Sequence, residues 1–411
     1  MRYFRLLLSI LPFFFSGKLF SQSGKFTISN MSGVARHGEP VIISRENLRS
    51  LMEVPDKRVP VLYINGNLIP SQTDDLGQDG TWDEIAFQVD MERNSTVQVK
   101  VKWQDPEDAP VHQARVFAGL FKAGQGPEKP LLLKAELRPE DYGPGSLVNY
   151  LYDGPFWESE SIAFRYLFDD RDFISVLGKN QSGLWRDSSD FQPMQGRTIR
   201  IGGMEVLPQD GGPGCGGNAL QSDSGFSRLR RPGSAWFRLI SSGPVRAMFD
   251  LVFEDVMLDG APVQMKKRIS IWAGKSWYRT EIQVSGFQGE KEMLAGLSLP
   301  IKELKPALFH FNKAVGGLYW HGAFPAADSR SGQGILFSKS SSPEYFIGKA
   351  MPGYTDPAAW LKFRIRSGQR LEYLSFAAWE KPNERFGNAL NFRNMMQEEA
   401  DALEFPLRII K

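Results

Sequence analysis

The sequence predicts a mostly-β protein, built as a large antiparallel β-sandwich with one C-terminal helix. Three observations carry this. Long runs alternate apolar and polar residues with period two, as half-buried strands do. Turn formers separate the runs: 40 Gly and 26 Pro in 411 residues are enough to break the chain into many hairpins. Only one long stretch, near the C-terminus, has helical spacing. Apolar residues make up 42% of the chain, sufficient for a core of that size.

The chain begins "MRYFRLLLSILPFFFSGKLFSQSGKF". Arg2 and Arg5 precede an apolar run over residues 6–15, and small and polar residues follow. This is the pattern of a signal peptide over residues 1–21, cleaved near Ser21 and Gln22. The run is too short to span a bilayer. The expectation is an exported protein, periplasmic or secreted, with no membrane insertion after cleavage. Residues 22–411 then form a single β-sandwich domain with a smaller N-terminal lobe over 22–103. Cleavage removes Arg2, Arg5 and Lys18 and no acid, so the formal charge of +2 becomes −1. With 49 basic against 47 acidic residues there is no footprint for nucleic acid. Cys215 is the only cysteine, so no intramolecular disulfide exists; within "GGPGCGG" it reads as a buried thiol.

The strand runs follow in order: "STVQVKVKW" from Ser95, "SIAFRYLF" from Ser161, "VRAMFDLVFEDV" from Val245, "KKRISIWAG" from Lys266, "WYRTEIQVSG" from Trp277 and "RLEYLSFAAW" from Arg370. The helix is "NALNFRNMMQEEADALEF", with Phe392, Met395, Met396, Ala400 and Leu403 on one stripe.

Three stretches could carry chemistry. "SQTDDLGQDGTWDE" brings Asp75, Asp79 and Asp83 together, but Gly77 and Ala86 stand where an EF-hand needs ligands. It reads as a polar hairpin turn, and no metal or cofactor is expected. If residues 160–168 form one strand, Arg165 lies among small residues, where its fork could grip a carboxylate in an open groove or pair with an internal acid. Tyr166, Glu158, Glu160 and Lys179 are further substrate-binding candidates nearby. In "HFNKAVGGLYWHG", Gly316 and Gly317 suit the two central positions of a tight hairpin. That register would set Asn312 opposite His321 and gather His310, Asn312, Tyr319 and His321 on one open face. Phe311 and Trp320 would go to the other. The four polar residues would form a catalytic cluster offering base, acid and donor; the alternative is a solvated polar patch.

"RHGEPVIISRENL", "IPSQTDDLGQDGTWDEIAFQVDM", "GPFWESESIAFRYLFDDRDFISVLGK", "SSGPVRAMFDLVFEDV" and "LSFAAWEKPNERFGNALNFRNMM" occur in this order. Together they resemble a family of exported bacterial proteins known as domain of unknown function 4861. The resemblance covers nearly the whole mature chain. It implies a supersandwich-like fold, distantly similar to β-sandwich polysaccharide lyases, and a role in polysaccharide degradation beside unsaturated glucuronyl hydrolases. The function it implies is β-elimination on uronic-acid-containing oligosaccharides, by a dehydratase or lyase. The alternatives are a non-catalytic carbohydrate-binding protein, or a glycoside hydrolase using Glu158 and Glu160.

Overall fold

The computed structural model describes residues 23–122, 130–137, 150, 154–167, 173–187, 202–207, 212–223, 225–227, 234–299, 306–324, 329–348, 358–381 and 383–411. The expected signal peptide lies outside them. Among the described residues the structure is mostly antiparallel sheet with two α-helices.

The N-terminal lobe packs two sheets. Strand Ser23–Asn30 pairs along its whole length with Ser95–Gln104, which also pairs with Val59–Ile64. Arg36–Ser44, Glu84–Met91 and Ser71–Asp74 form the second sheet. Alternate residues such as Phe26, Ile28, Phe87, Val99 and Val101 point between the two and fill a separate core. Helix α1 (Arg45–Leu51) is capped by the Ser44 hydroxyl, which accepts from the Asn47 N–H at 3.1 Å. The lobe is completed by the end of the chain: Arg408–Ile410 adds to Ser23–Asn30 as an edge strand.

The larger body is a two-layer sandwich. One layer is a nine-stranded sheet whose centre is Arg246–Leu258, Ala261–Trp272, Trp277–Ser285, Arg370–Trp379 and Ser329–Ser338. The other combines a six-stranded sheet, including Phe156–Ser159, Ile162–Tyr166 and Ile174–Lys179, with a five-stranded sheet, including Cys215–Ser222 and Glu290–Ser298. A parallel bridge between Ile174 and Gly214 joins these two sheets. Gly214 has φ +75, and a Cβ there would stand 2.0 Å from the Ile174 carbonyl oxygen, so only glycine fits. One core runs through the sandwich, with Trp157, Phe249, Tyr278, Tyr373 and Trp379 among its large members.

The outer face of the nine-stranded sheet is covered twice. The N-terminal lobe docks on it through Arg246, whose buried guanidinium pairs with Asp74 and Glu84 of the lobe. Beside the lobe lies helix α2 (Ala389–Glu404), capped by Asn388. Phe392, Met396 and Ala400 of α2 pack on Leu336, Leu374, Phe376 and Ala378. The close approach needs glycine in the sheet: a Cβ at Gly332 or Gly334 would come within 2.7 Å of Phe392 or Met396. The expected stripe changes at its end. Ala402 is buried and Leu403 is 39% exposed, because the last turn runs past the sheet towards the lobe. There Arg36 donates to the Asp401 and Phe405 carbonyls at 3.0 and 3.1 Å and satisfies the open helix end.

The aspartate-rich loop is held by its own carboxylates. Asp75 accepts the Gly80 N–H at 2.7 Å and Asp83 accepts the Leu76 N–H at 2.7 Å. These oxygens close the turn as local caps do. A chelator is therefore expected to leave the melting temperature unchanged. A fall of many degrees, reversed by calcium alone, would sink this account of the loop.

Candidate functional site

A cavity of about 240 Å³ opens where the lobe, the outer face of the nine-stranded sheet and helix α2 meet. Each element contributes for a local reason. In Arg36–Ser44 a bulge between Arg36 and Glu39, with Gly38 at φ +54, inserts an extra residue and turns Glu39 towards the cavity. In Trp277–Ser285 period two puts Trp277, Arg279 and Glu281 on the outer face, opposite Phe376, Leu374 and Glu372. Helix α2 supplies Glu399, one turn beyond Met395.

The charges are arranged unevenly. Lys275 donates to Glu399 at 2.6 Å. Glu39 has no such ion pair among the described residues, and burial pushes its carboxyl up to about 7, with help from the nearby Glu399 charge. Lys275, Arg36 and Arg279 pull the other way and are outweighed. Two carboxyls in one cavity therefore differ in environment, one clamped by Lys275, the other near half-protonation at neutral pH. Trp277 is 2% exposed, and its indole N–H has no hydrogen-bond partner among the described residues. The Nε of Arg279 is likewise buried without a partner, although its Nη1 lies 3.2 Å from Glu372. Among the described residues no group of three or more His, Cys, Asp or Glu is placed to hold a metal ion.

The structure does not assemble the histidine cluster. Gly316 and Gly317 are inside strand Val315–Phe324, not at the turn, which spans residues 311–314. His310 pairs with Gly316, and Ala307 with Tyr319, so His310 belongs to the face opposite Tyr319 and His321. Two physical causes fix this register. Asn312 makes the turn, its Oδ1 accepting the Ala314 and Val315 N–H groups at 3.1 and 2.8 Å. The glycines are needed for clearance: a Cβ at Gly317 would stand 2.5 Å from the Phe311 ring, and one at Gly316 2.6 Å from Phe337. Phe311 accordingly lies on the Tyr319 side, through Phe309, while Trp320 is buried in the main core. The face bearing Tyr319 and His321 is not open either. Helix α2 and the 3-10 turn before it (Glu384–Gly387) cover it: both rings lie against Phe392, His321 Nε2 is 2.7 Å from the Phe386 carbonyl, and Asn312 Nδ2 donates to the Ala400 carbonyl at 2.8 Å. Burial holds the His321 pKa below its ordinary value. His321→Ala is expected to cost about 1–2 kcal/mol through the lost bond and ring packing. The check is a lower melting temperature in the purified variant; an unchanged value would show that the cover over this face does not need His321.

The second group of candidates is internal except for Glu160, which is partly exposed. Both faces of Ile162–Tyr166 are covered, so Arg165 is not in an open groove. It is 1% exposed and sits 3.3 Å from both oxygens of Glu205, which also accepts from Ser175. Tyr166 is 3% exposed, with the Lys267 ammonium 5.2 Å from its ring centre. Glu158 and Lys179 form a fully buried ion pair. Glu160 binds Arg115 at 2.5 Å and accepts the Gly274 N–H at 2.6 Å, tying the six-stranded sheet to the loop before Trp277. Cys215 is buried, which pushes its thiol far up and leaves no reactive thiolate.

The family model described as Domain of unknown function (DUF4861) matches residues 28–409. The chain belongs to this family. A relative called "Uncharacterized protein P7", from Formosa agariphila, is 22% identical over 448 residues, covering 97% of this chain and 98% of its own. Among solved structures, an α-mannosidase from Enterococcus faecalis superposes with a TM-score of 0.50 at 10% identity, covering 94% of this chain. A glycosyl hydrolase family 38 protein from the same organism gives 0.48 at 10% identity. The DUF4861 chain spans about half the length of these two, 46% and 47%. At such identity the first likeness shows a shared fold.

The cavity residues of this DUF4861 protein were hard to see in its sequence. Glu39 follows "ARHG" and Glu399 lies in "QEEADALEF", some 360 residues apart. Neither has a motif. The available signals were the Gly-Glu-Pro break inside a strand run and the alternation of Trp277 with Arg279, and neither says which surface covers them.

Proposed function

We propose that this DUF4861 protein is a carbohydrate-active enzyme acting on uronic-acid-containing oligosaccharides by β-elimination. The carrying observation is the Glu39 carboxyl, held near pKa 7 in a cavity that also presents Arg279 and a Trp277 wall. A solved protein that shares the fold is named an α-mannosidase, which supports carbohydrate as the substrate class. Arginine fits a uronate carboxylate.

Elimination needs three groups. Arg279 neutralises the sugar carboxylate, which acidifies the adjacent C5 proton. Glu399, paired with Lys275, accepts that proton as the C5–H bond breaks. Glu39, in its protonated form, donates to the oxygen leaving C4. A C4=C5 double bond forms, and no oxidant or reductant is required. Hydrolysis is the second reading, because two carboxyls with separated environments also serve glycosidases.

The test is incubation with a panel of uronate oligosaccharides, followed by mass and ultraviolet absorbance. Loss of water with new absorbance marks a dehydratase, and chain cleavage with new absorbance marks a lyase. Cleavage with uptake of water supports hydrolysis instead. Binding without conversion would leave a carbohydrate-binding protein and end the enzymatic reading. Export remains part of the proposal, resting on the charged start and short apolar run of residues 1–21. Among the described residues no helix is long and apolar enough to cross a membrane.

A further inference from the structure

A second cavity, of about 160 Å³, adjoins the first on the outer face of the nine-stranded sheet. Ile42 and Arg279 line both, so the two meet at those side chains. Four arginines line the second cavity, Arg246, Arg268, Arg279 and Arg370, against two acids, Glu84 and Glu281.

The arginines are held in place before any ligand arrives. Arg246 is fixed by Asp74 and Glu84 of the lobe. Arg370 lies 3.2 Å from Glu281 and 3.1 Å from Glu372, and Glu372 also holds Arg279. On the remaining side the balance fails. Asp250, fully buried, is shared by Arg238 at 2.9 Å, Lys266 at 3.2 Å and Arg268 at 2.7 Å. Glu84 and Glu281 also act on Arg268 but are themselves engaged by Arg246 and Arg370, which leaves a modest excess of positive charge on this side. Arg279 adds a buried Nε without a partner at the junction of the cavities. A rigid, positively biased pocket with low-dielectric walls favours an anion, because little ordering remains to be done on binding.

We infer that the second cavity is a subsite for a second anionic substituent, a carboxylate or a sulfate ester, on the sugar next to the one bound at Glu39. This rests on the reading of the first cavity as a carbohydrate site. The substrate would then be an oligosaccharide with acidic groups on neighbouring residues, laid across Arg279.

The experiment is calorimetric binding to the full chain at fixed low salt. The probes are digalacturonate, its monomethyl ester, and a glucuronyl disaccharide carrying one sulfate ester. At least one doubly charged probe should bind about 10-fold more tightly than the singly charged ester. Which one does so separates a carboxylate from a sulfate subsite. Arg268→Gln and Arg370→Gln should each reduce that preference, and together erase it. Arg268→Gln leaves Asp250 paired with Arg238 and Lys266, and the Arg370 side chain is 59% exposed, so folding should survive both changes. Equal affinity for all probes, or a preference that persists in the double variant, overturns the subsite while the first-cavity reading stands. No binding of any probe to the unmodified protein overturns both.

Discussion

Glu39→Gln is expected to lower turnover of a verified substrate by about 10²–10⁴-fold, the usual cost of losing positioned acid–base catalysis. The glutamine keeps size and hydrogen bonding but has no proton to transfer. In the unmodified protein, turnover should decline as pH rises through about 7, because the donor loses its proton there. Stability gives an independent reading. The folded carboxyl titrates above its unfolded value of about 4.5, so between these pH values the folded state holds the extra proton. Stability therefore falls as pH rises across that window, by about 3 kcal/mol. Glu39→Gln removes this titrating group, so the variant should gain stability over the parent at pH 8 relative to pH 5. Full turnover in the variant would remove Glu39 from the mechanism. A flat difference in melting temperature across pH would show that the carboxyl is not held near 7.

Lys179→Ala is expected to destabilise the fold by about 3–5 kcal/mol, the cost of leaving a buried charge without its partner. The ammonium is fully buried and donates to Glu158, to the Ser159 carbonyl at 2.6 Å and to the Gly183 carbonyl at 2.6 Å. Burial pulls its pKa down, and the Glu158 charge opposes that. Glu158 in turn accepts the backbone N–H groups of Trp185 and Arg186, at 2.9 and 3.2 Å. The pair thus pins the segment from Asn180 to Arg186 against the six-stranded sheet. Removing the cation strands Glu158; Lys179→Met with Glu158→Gln should recover part of the loss, since neither residue is then charged. Denaturant unfolding of the three proteins measures this. If Lys179→Ala unfolds at the parent's midpoint but binds sugar poorly, Lys179 is a substrate group and not a structural one.

The alternation in "RLEYLSFAAW" and "WYRTEIQVSG" was legible as strand because period two needs no knowledge of the partner. Helix α2 was legible for the same reason, as Phe392, Met396 and Ala400 recur at helical spacing. Arg165 shows where such reasoning stops. Alternation assigned it to a face of small residues, but a face is open only if no other layer covers it. Glu205, some forty residues on, was invisible as its partner. The hairpin failed on a different point. Gly-Gly suits a tight turn, yet the same residues are required wherever aromatic rings press on a strand, and local sequence does not separate the two uses.

By itself the sequence determined the sheet-forming runs, the long C-terminal helix, the absence of an intramolecular disulfide and the family. These follow from composition, order and short-range spacing. The tertiary structure alone decided which surfaces meet. It laid α2 over Tyr319 and His321, brought Arg408–Ile410 back to the first strand, and enclosed Glu39 with Glu399, Trp277 and Arg279. The reason is that a carboxyl's proton affinity depends on burial and on charges within a few ångströms. Those neighbours come from parts of the chain hundreds of residues apart, and only packing brings them together.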